Sequence, residues 1–209
     1  MATLPNPEEI DADLLMLAAM AYGEASSKND EKEIYAIASV LVRQKEARGY
    51  DTIKAFGTKD KSFSFVTSDG NARYEKLMNS TAAEIDNNAG MKIAISAAKN
   101  AVAGGEDYSN GAYFWDGADI KTNYKKHFKV RNGVKITDTS HNIYNIEDST
   151  KTVILYKTTV KKSKGKKITE KKEVGRYDHV YESTAGHGGT IFWKQSDDYL
   201  NLTKAKPHL

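Results

Sequence analysis

Residues 14–43, LLMLAAMAYGEASSKNDEKEIYAIASVLVR, constrain this chain more than any other stretch. Two apolar helical runs flank a short polar break, and one carboxylate, Glu24, sits in the break between Gly23 and Ala25. The first run is apolar over most of its later circumference. A helix there must be buried on nearly all sides, so the fold has to be built around it. A carboxyl group delivered by the end of such a helix, with a small residue on either side, is open to a ligand and partly desolvated. Desolvation disfavours the charged form and raises the pKa. A glutamate kept protonated near neutral pH can serve as a general acid. The plainer reading is a solvated glutamate that opens a loop.

Asn6, Pro7 and Glu9 predict the start of the first helix, which runs to about Tyr22. Asp30 and Glu33 predict a second capping box. The helix that follows places Ile34, Ile37, Ala38, Leu41 and Val42 on one side and stops near Gly49. Residues 51–71 are short and irregular, with Ser62-Phe63-Ser64-Phe65-Val66 as either a cleft wall or a buried aromatic hinge. Helices are expected over 72–78 and 81–103, the latter ended by Gly104-Gly105. Next come Tyr113, Phe114 and Trp115. Alternate residues of a strand point oppositely, so at least one of the three must pack in the core.

Residues 117–176 read as an inserted, β-containing subdomain in a body made of 1–116 with 177–209. Within it, 151–160 and 168–174 predict a hairpin through Ser163-Lys164-Gly165. Seven lysines lie between Lys161 and Lys172. They are either a solvated tip or a surface attracted to anionic wall polymers or an acidic partner. The closing segment, 181–193, is glycine-rich around His187, and a loop of that kind can approach a ligand closely.

Composition removes several classes. With 209 residues, 39% hydrophobic and 28% charged, the chain can form one domain with a real core. It has no cysteine, which excludes disulfides and thiolate nucleophiles. A net charge of +3 gives no support for nucleic-acid binding. No apolar run approaches the roughly twenty residues that span a membrane, and the acidic opening residues lack the basic start of a secretory signal.

Four features occur in order: Tyr-Gly-Glu24-Ala followed by an alanine-rich helix ending in Leu-Val-Arg43; the aromatic-Ser-aromatic stretch at 63–65; a helix ending before a Gly-Ala-aromatic segment at 111–115; and Gly186-His187 running to Phe192-Trp193. Together they resemble the SleB-type cell-wall hydrolases, which include spore-cortex-lytic enzymes. The likeness covers roughly residues 12–117 and 181–194. The chain departs from the family at Val42, where an asparagine precedes the arginine, and at Ser62, where a glutamine is usual. The resemblance implies an α+β fold, mainly α, with a lysozyme-like or lytic-transglycosylase-like helical domain and a small hairpin insertion. It also implies cleavage of the MurNAc–GlcNAc bond of peptidoglycan, with Glu24 as the acid. Glu182 is the candidate second carboxylate. Ser64, Phe65, Tyr113, Trp115 and His187 are the candidate glycan contacts, and no metal or cofactor is called for.

Without a signal segment, such an enzyme needs another exit. Phage lysins leave through a holin, and type VI secretion effectors are injected into a neighbour's periplasm. Compact size and the absence of a wall-binding repeat favour the antibacterial effector, which would have a cognate immunity protein. Two other readings stay open. One is a zinc amidase or peptidase drawing ligands from His179, Glu182, His127, His141, Asp116 and His187, although no HExxH-like spacing is present. The other is a non-catalytic wall-binding module.

Overall fold

The computed structural model describes residues 10–63, 67–163 and 166–209. The cap expected at Asn6 lies outside these residues. Helix α1, Ala12–Glu24, is capped by Asp11, whose side chain accepts from the Leu14 amide. Every residue from Met16 to Tyr22 is buried, so the helix is central, as its all-round apolar sequence requires. Helix α2, Glu31–Ala47, packs against it and is capped by Asp30. Helix α3, Ile53–Lys59, follows, and Asp13 of α1 accepts from its Ile53 and Lys54 amides at 2.9 and 3.0 Å. Each fully buried Leu, Ile, Met or Phe in this core stabilises it by about 1.5–3 kcal/mol.

Helix α4, Ala72–Met78, precedes a pair that the sequence predicts as one helix over 81–103. That expectation is corrected. Helix α5, Ala82–Asp86, ends at Asn87, and Asn88 starts α6, Ala89–Val102, by accepting from the Met91 amide at 3.0 Å. Asparagine competes for backbone groups and favours caps over helix interiors. The break lets the first turn of α6 close on the end of α1. A Cβ at Gly90 would lie 2.6 Å from Asn29 Oδ1 and 2.9 Å from the Tyr22 ring.

Strand β1, Phe114–Asp116, leads into short helices α7, Asp119–Thr122, and α8, Phe128–Asn132, and then β2, Val134–Lys135. A long hairpin follows, β3 Val153–Ser163 and β4 Lys166–Tyr177. The chain closes with β5 Tyr181–His187, β6 Thr190–Gln195 and α9 Asp197–Thr203. The main sheet has the order β1-β6-β5-β2; β6 is antiparallel to both neighbours, and β2 is parallel to β5.

This sheet is buried on both faces. Phe192, Ala185 and Trp115 face the helices. Ile191, Trp193, Tyr181 and Phe114 face a second core completed by Ile120, Val130, Val134 and Ile146. The first part of 117–176 therefore does not stand apart as an inserted subdomain. It covers the far face of the sheet and contributes a strand to it. The hairpin does stand apart, as a sheet of its own, in the expected antiparallel pairing. Its turn residues, 164 and 165, lie outside the described residues. The architecture is α+β, and among the described residues no helix is long and apolar enough to cross a membrane.

Candidate active site

Glu24 is the last residue of α1. The final carbonyls of a helix lack partners within it, and here side chains from elsewhere take them. Arg73 Nε donates to the Tyr22 carbonyl at 2.7 Å, and Asn71 Nδ2 donates to the Gly23 carbonyl at 3.0 Å. The Arg73 guanidinium also lies 3.7 Å over the Tyr22 ring and donates to Asn29 Oδ1. The backbone that carries Glu24 is thus held from one side by two residues at the start of α4.

The Glu24 side chain is half-buried against β1. Burial pushes its carboxyl pKa above the ordinary glutamate value. Trp115 Nε1 donates to Oε2 at 3.2 Å and pulls in the other direction, without offsetting the burial. Trp115 is itself fixed from behind. Its ring stacks on Phe63 at 6.1 Å, and Phe63 packs on Phe56 at 4.6 Å. This aromatic row is the buried form of the hinge read from 62–66. Ser64 and Phe65 lie outside the described residues.

Glu24 and Trp115 open into a cavity of about 420 Å³. Ser26 and Lys28 form one wall, Gly117 and Ala118 another, and Tyr144, Gly189 and Thr190 close it. A residue missed in the sequence holds these walls together. Glu33, expected to complete a capping box with Asp30, turns away from it and is fully buried. Its Oε1 accepts from the Ser26 amide at 3.1 Å, the Gly189 amide at 3.1 Å and Thr190 Oγ1 at 2.7 Å. Its Oε2 accepts from Ser26 Oγ at 2.6 Å. One carboxylate in the first turn of α2, where the helix dipole favours negative charge, ties the loop after α1 to the turn between β5 and β6. The two glycines of that turn are needed for this approach. Gly188 has φ +55°, and a Cβ there would lie 2.2 Å from Glu33 Oε2. A Cβ at Gly189 would lie 2.8 Å from the Cβ of Ser26.

The remaining sequence candidates among the described residues lie apart from this cavity. Glu182 accepts from His179 Nε2 at 3.1 Å and sits 3.8 Å from Lys194, its cross-strand neighbour. It does not line the cavity with Glu24. Tyr113 packs against His208 and Arg43. His187 meets the Tyr108 carbonyl through Nε2 at 3.0 Å and packs on Phe192. Of the candidates among the described residues, Trp115 alone joins Glu24.

The residues weighed as zinc ligands are dispersed. His179 pairs with Asp178 and Glu182, while His141 Nδ1 meets Ser183 Oγ. Asp116 and His127 do come together, with Asp119 as a third member. Their ligand atoms all lie within 4.8 Å of one another, and among the described residues no other group has metal-like spacing. Lys129 Nζ already lies 2.8 Å from Asp116 Oδ1, and His127 Nε2 lies 3.3 Å from both aspartates. The Asp116 carboxylate raises the His127 pKa, which favours the charged imidazole beside the two acids. The three side chains and Lys129 form an ion-pair network in which Asp116 Oδ2 and His127 Nδ1, both buried, find no hydrogen-bond partner among the described residues.

Comparisons of the chain with protein-family models, with curated proteins and with solved structures return no match.

Proposed function

We propose that this protein cleaves the glycan strand of peptidoglycan at the MurNAc–GlcNAc bond, with Glu24 as the acid and then the base. The observation that carries this reading is a single one. A half-dry carboxyl, raised in pKa and held at the end of a buried helix, faces a cavity beside an indole. Such a group donates a proton to a leaving glycosidic oxygen. Trp115 offers a flat apolar edge beside it for a sugar ring.

Glu24 is the sole carboxylate among the described residues that line the cavity. A retaining glycosidase needs a second one about 5 Å away as nucleophile. The lone acid therefore favours transglycosylation over hydrolysis. Glu24 protonates the leaving oxygen as the C1–O bond breaks. The resulting carboxylate then takes the proton of the same sugar's C6 hydroxyl as that oxygen bonds to C1. Glu24 ends protonated, no water is consumed, and the product is a 1,6-anhydro sugar.

On this reading the helical body is lysozyme-like, and the protein acts on the wall or in the periplasm, as an antibacterial effector delivered to a target cell. A cognate immunity protein would then occlude the cavity. Glu24→Gln keeps the shape and removes the proton relay. Purified sacculi should be digested at least a hundredfold more slowly by this variant. The parent's muropeptides should be lighter by one water than hydrolysis products on mass spectrometry, with activity unchanged in EDTA. Equal digestion by parent and variant would end the assignment.

A further inference from the structure

The β3–β4 hairpin does not line the Glu24 cavity, and most of its length is exposed. From Tyr156 outward on β3 and back to Val174 on β4, every residue with a described side chain is exposed. An isolated two-stranded hairpin is marginal in water. This one is fixed at its base. Tyr177 packs edge-on against Tyr199 at 5.3 Å, and Gly175 lies so close to Leu202 that a Cβ would come within 2.2 Å of it. The result is an arm with a braced root and two free faces.

Its charge is one-sided. Residues 156–173 carry eight lysines against two glutamates. Glu170 is paired with Lys161 and Glu173 with Arg176, each at 2.8 Å. The register makes the excess costly. Lys157 stands directly opposite Lys172, and Lys162 directly opposite Lys167. Like charges in directly opposed positions destabilise a ladder. The two pairs project to opposite faces, because 157 and 162 differ by an odd number in a period-two strand. A solvated hairpin would gain by alternating the signs. This one keeps repulsive pairs on both faces, which an external polyanion relieves.

We infer that the arm binds a flexible linear phosphodiester polymer, with ammonium groups of both faces against successive phosphates. A flat bilayer reaches only one face, the described side chains nearest the turn, Lys162, Lys166 and Lys167, are lysines, and the exposed Val160 and Ile168 stand further back on opposite faces. A nucleic acid read through its bases needs aromatic platforms, and Tyr156 is the one aromatic residue on the exposed arm. Lysine acts as a point charge without arginine's planar fork, which suits a chain of repeating phosphates bound without sequence or shape readout.

The test uses the full-length Glu24→Gln protein, so that binding is read independently of catalysis. A labelled poly(glycerol phosphate) probe is titrated by fluorescence anisotropy between 50 and 200 mM salt. The combined variant Lys157→Gln, Lys162→Gln, Lys167→Gln, Lys172→Gln should bind at least tenfold more weakly at 50 mM. Its log–log salt slope should be shallower by about 3, from roughly 0.7 per lost contact. The matching Lys→Arg variant, which keeps the charge, should bind within threefold of the parent. Four results would overturn the inference. Two are binding by the glutamine variant within twofold of the parent and loss of binding by the arginine variant. Another is tighter binding to phosphatidylglycerol vesicles than to the polymer. The last is a mixed-sequence oligonucleotide that binds more than tenfold better than the polymer. A parent protein inactive on sacculi that still binds the polymer would separate this inference from the catalytic reading.

Discussion

Glu33 offers the sharpest test of how the cavity is held together. Its side chain is fully buried and accepts four hydrogen bonds, two from backbone amides and two from hydroxyls. Glu33→Ala removes all four. The hydroxyls of Ser26 and Thr190 can turn toward other acceptors, but the Ser26 and Gly189 amides cannot. An unsatisfied buried donor costs about 1–3 kcal/mol. Two of them, with a modest void added, bring the expected loss to about 3–5 kcal/mol. Glu33→Gln behaves differently. Its amide oxygen can replace Oε1, which takes three of the four bonds, and its NH₂ can donate to a rotated Ser26 Oγ. Only the charge assistance disappears, so the loss should be about 1–2 kcal/mol. Urea unfolding followed by circular dichroism measures both, and unchanged m-values show that the native state alone is affected. If alanine and glutamine cost the same, or if each costs less than about 0.5 kcal/mol, Glu33 is not the tie between the two walls.

Trp115→Phe removes the indole hydrogen bond that stabilises the Glu24 carboxylate. The carboxyl pKa should then rise further above the ordinary value. On the proposed mechanism the acid must be protonated, so kcat/KM of the parent should fall as pH rises through that pKa, and in the variant this alkaline limb should move to higher pH. A limb that stays in place or moves down in a pH–rate profile refutes the direction. Gly188→Ala forces a Cβ into a left-handed backbone and onto Glu33 Oε2. It should cost about 2–4 kcal/mol in urea unfolding, and a loss under about 0.5 kcal/mol would mean that the turn is free to shift.

The sequence carried the central helix clearly, because residues 16–22 leave no polar face to expose. The hairpin was equally plain from its β-branched alternation and glycine turn. Glu33 was not. Asp30 followed three residues later by a glutamate is the pattern of a capping box, and only Gly189 and Thr190, 156 and 157 residues further on, decide otherwise. The helix over 81–103 was misread because alanine-rich periodicity continues across Asn87-Asn88. The paired asparagines were the available signal. Glu182 stood in a promising segment, but strand pairing places Lys194 beside it, and register is invisible until both strands are aligned. The layer over 117–149 consists of elements too short to show a period, so its second core appears only in three dimensions.

The Glu33 tie also joins parts of the chain that lie far apart in sequence. The helices around α1 contact one another within residues 12–102, and Ala112, Ala185 and Phe192 complete their core. The Gly189 and Thr190 side of the cavity joins them only by closing the long stretch of chain from Glu33, which is entropically unfavourable. Without that turn the acid would keep its helix and its indole partner but lose the Gly189 and Thr190 side of the cavity, so this one wall depends on contacts between residues far apart in the chain.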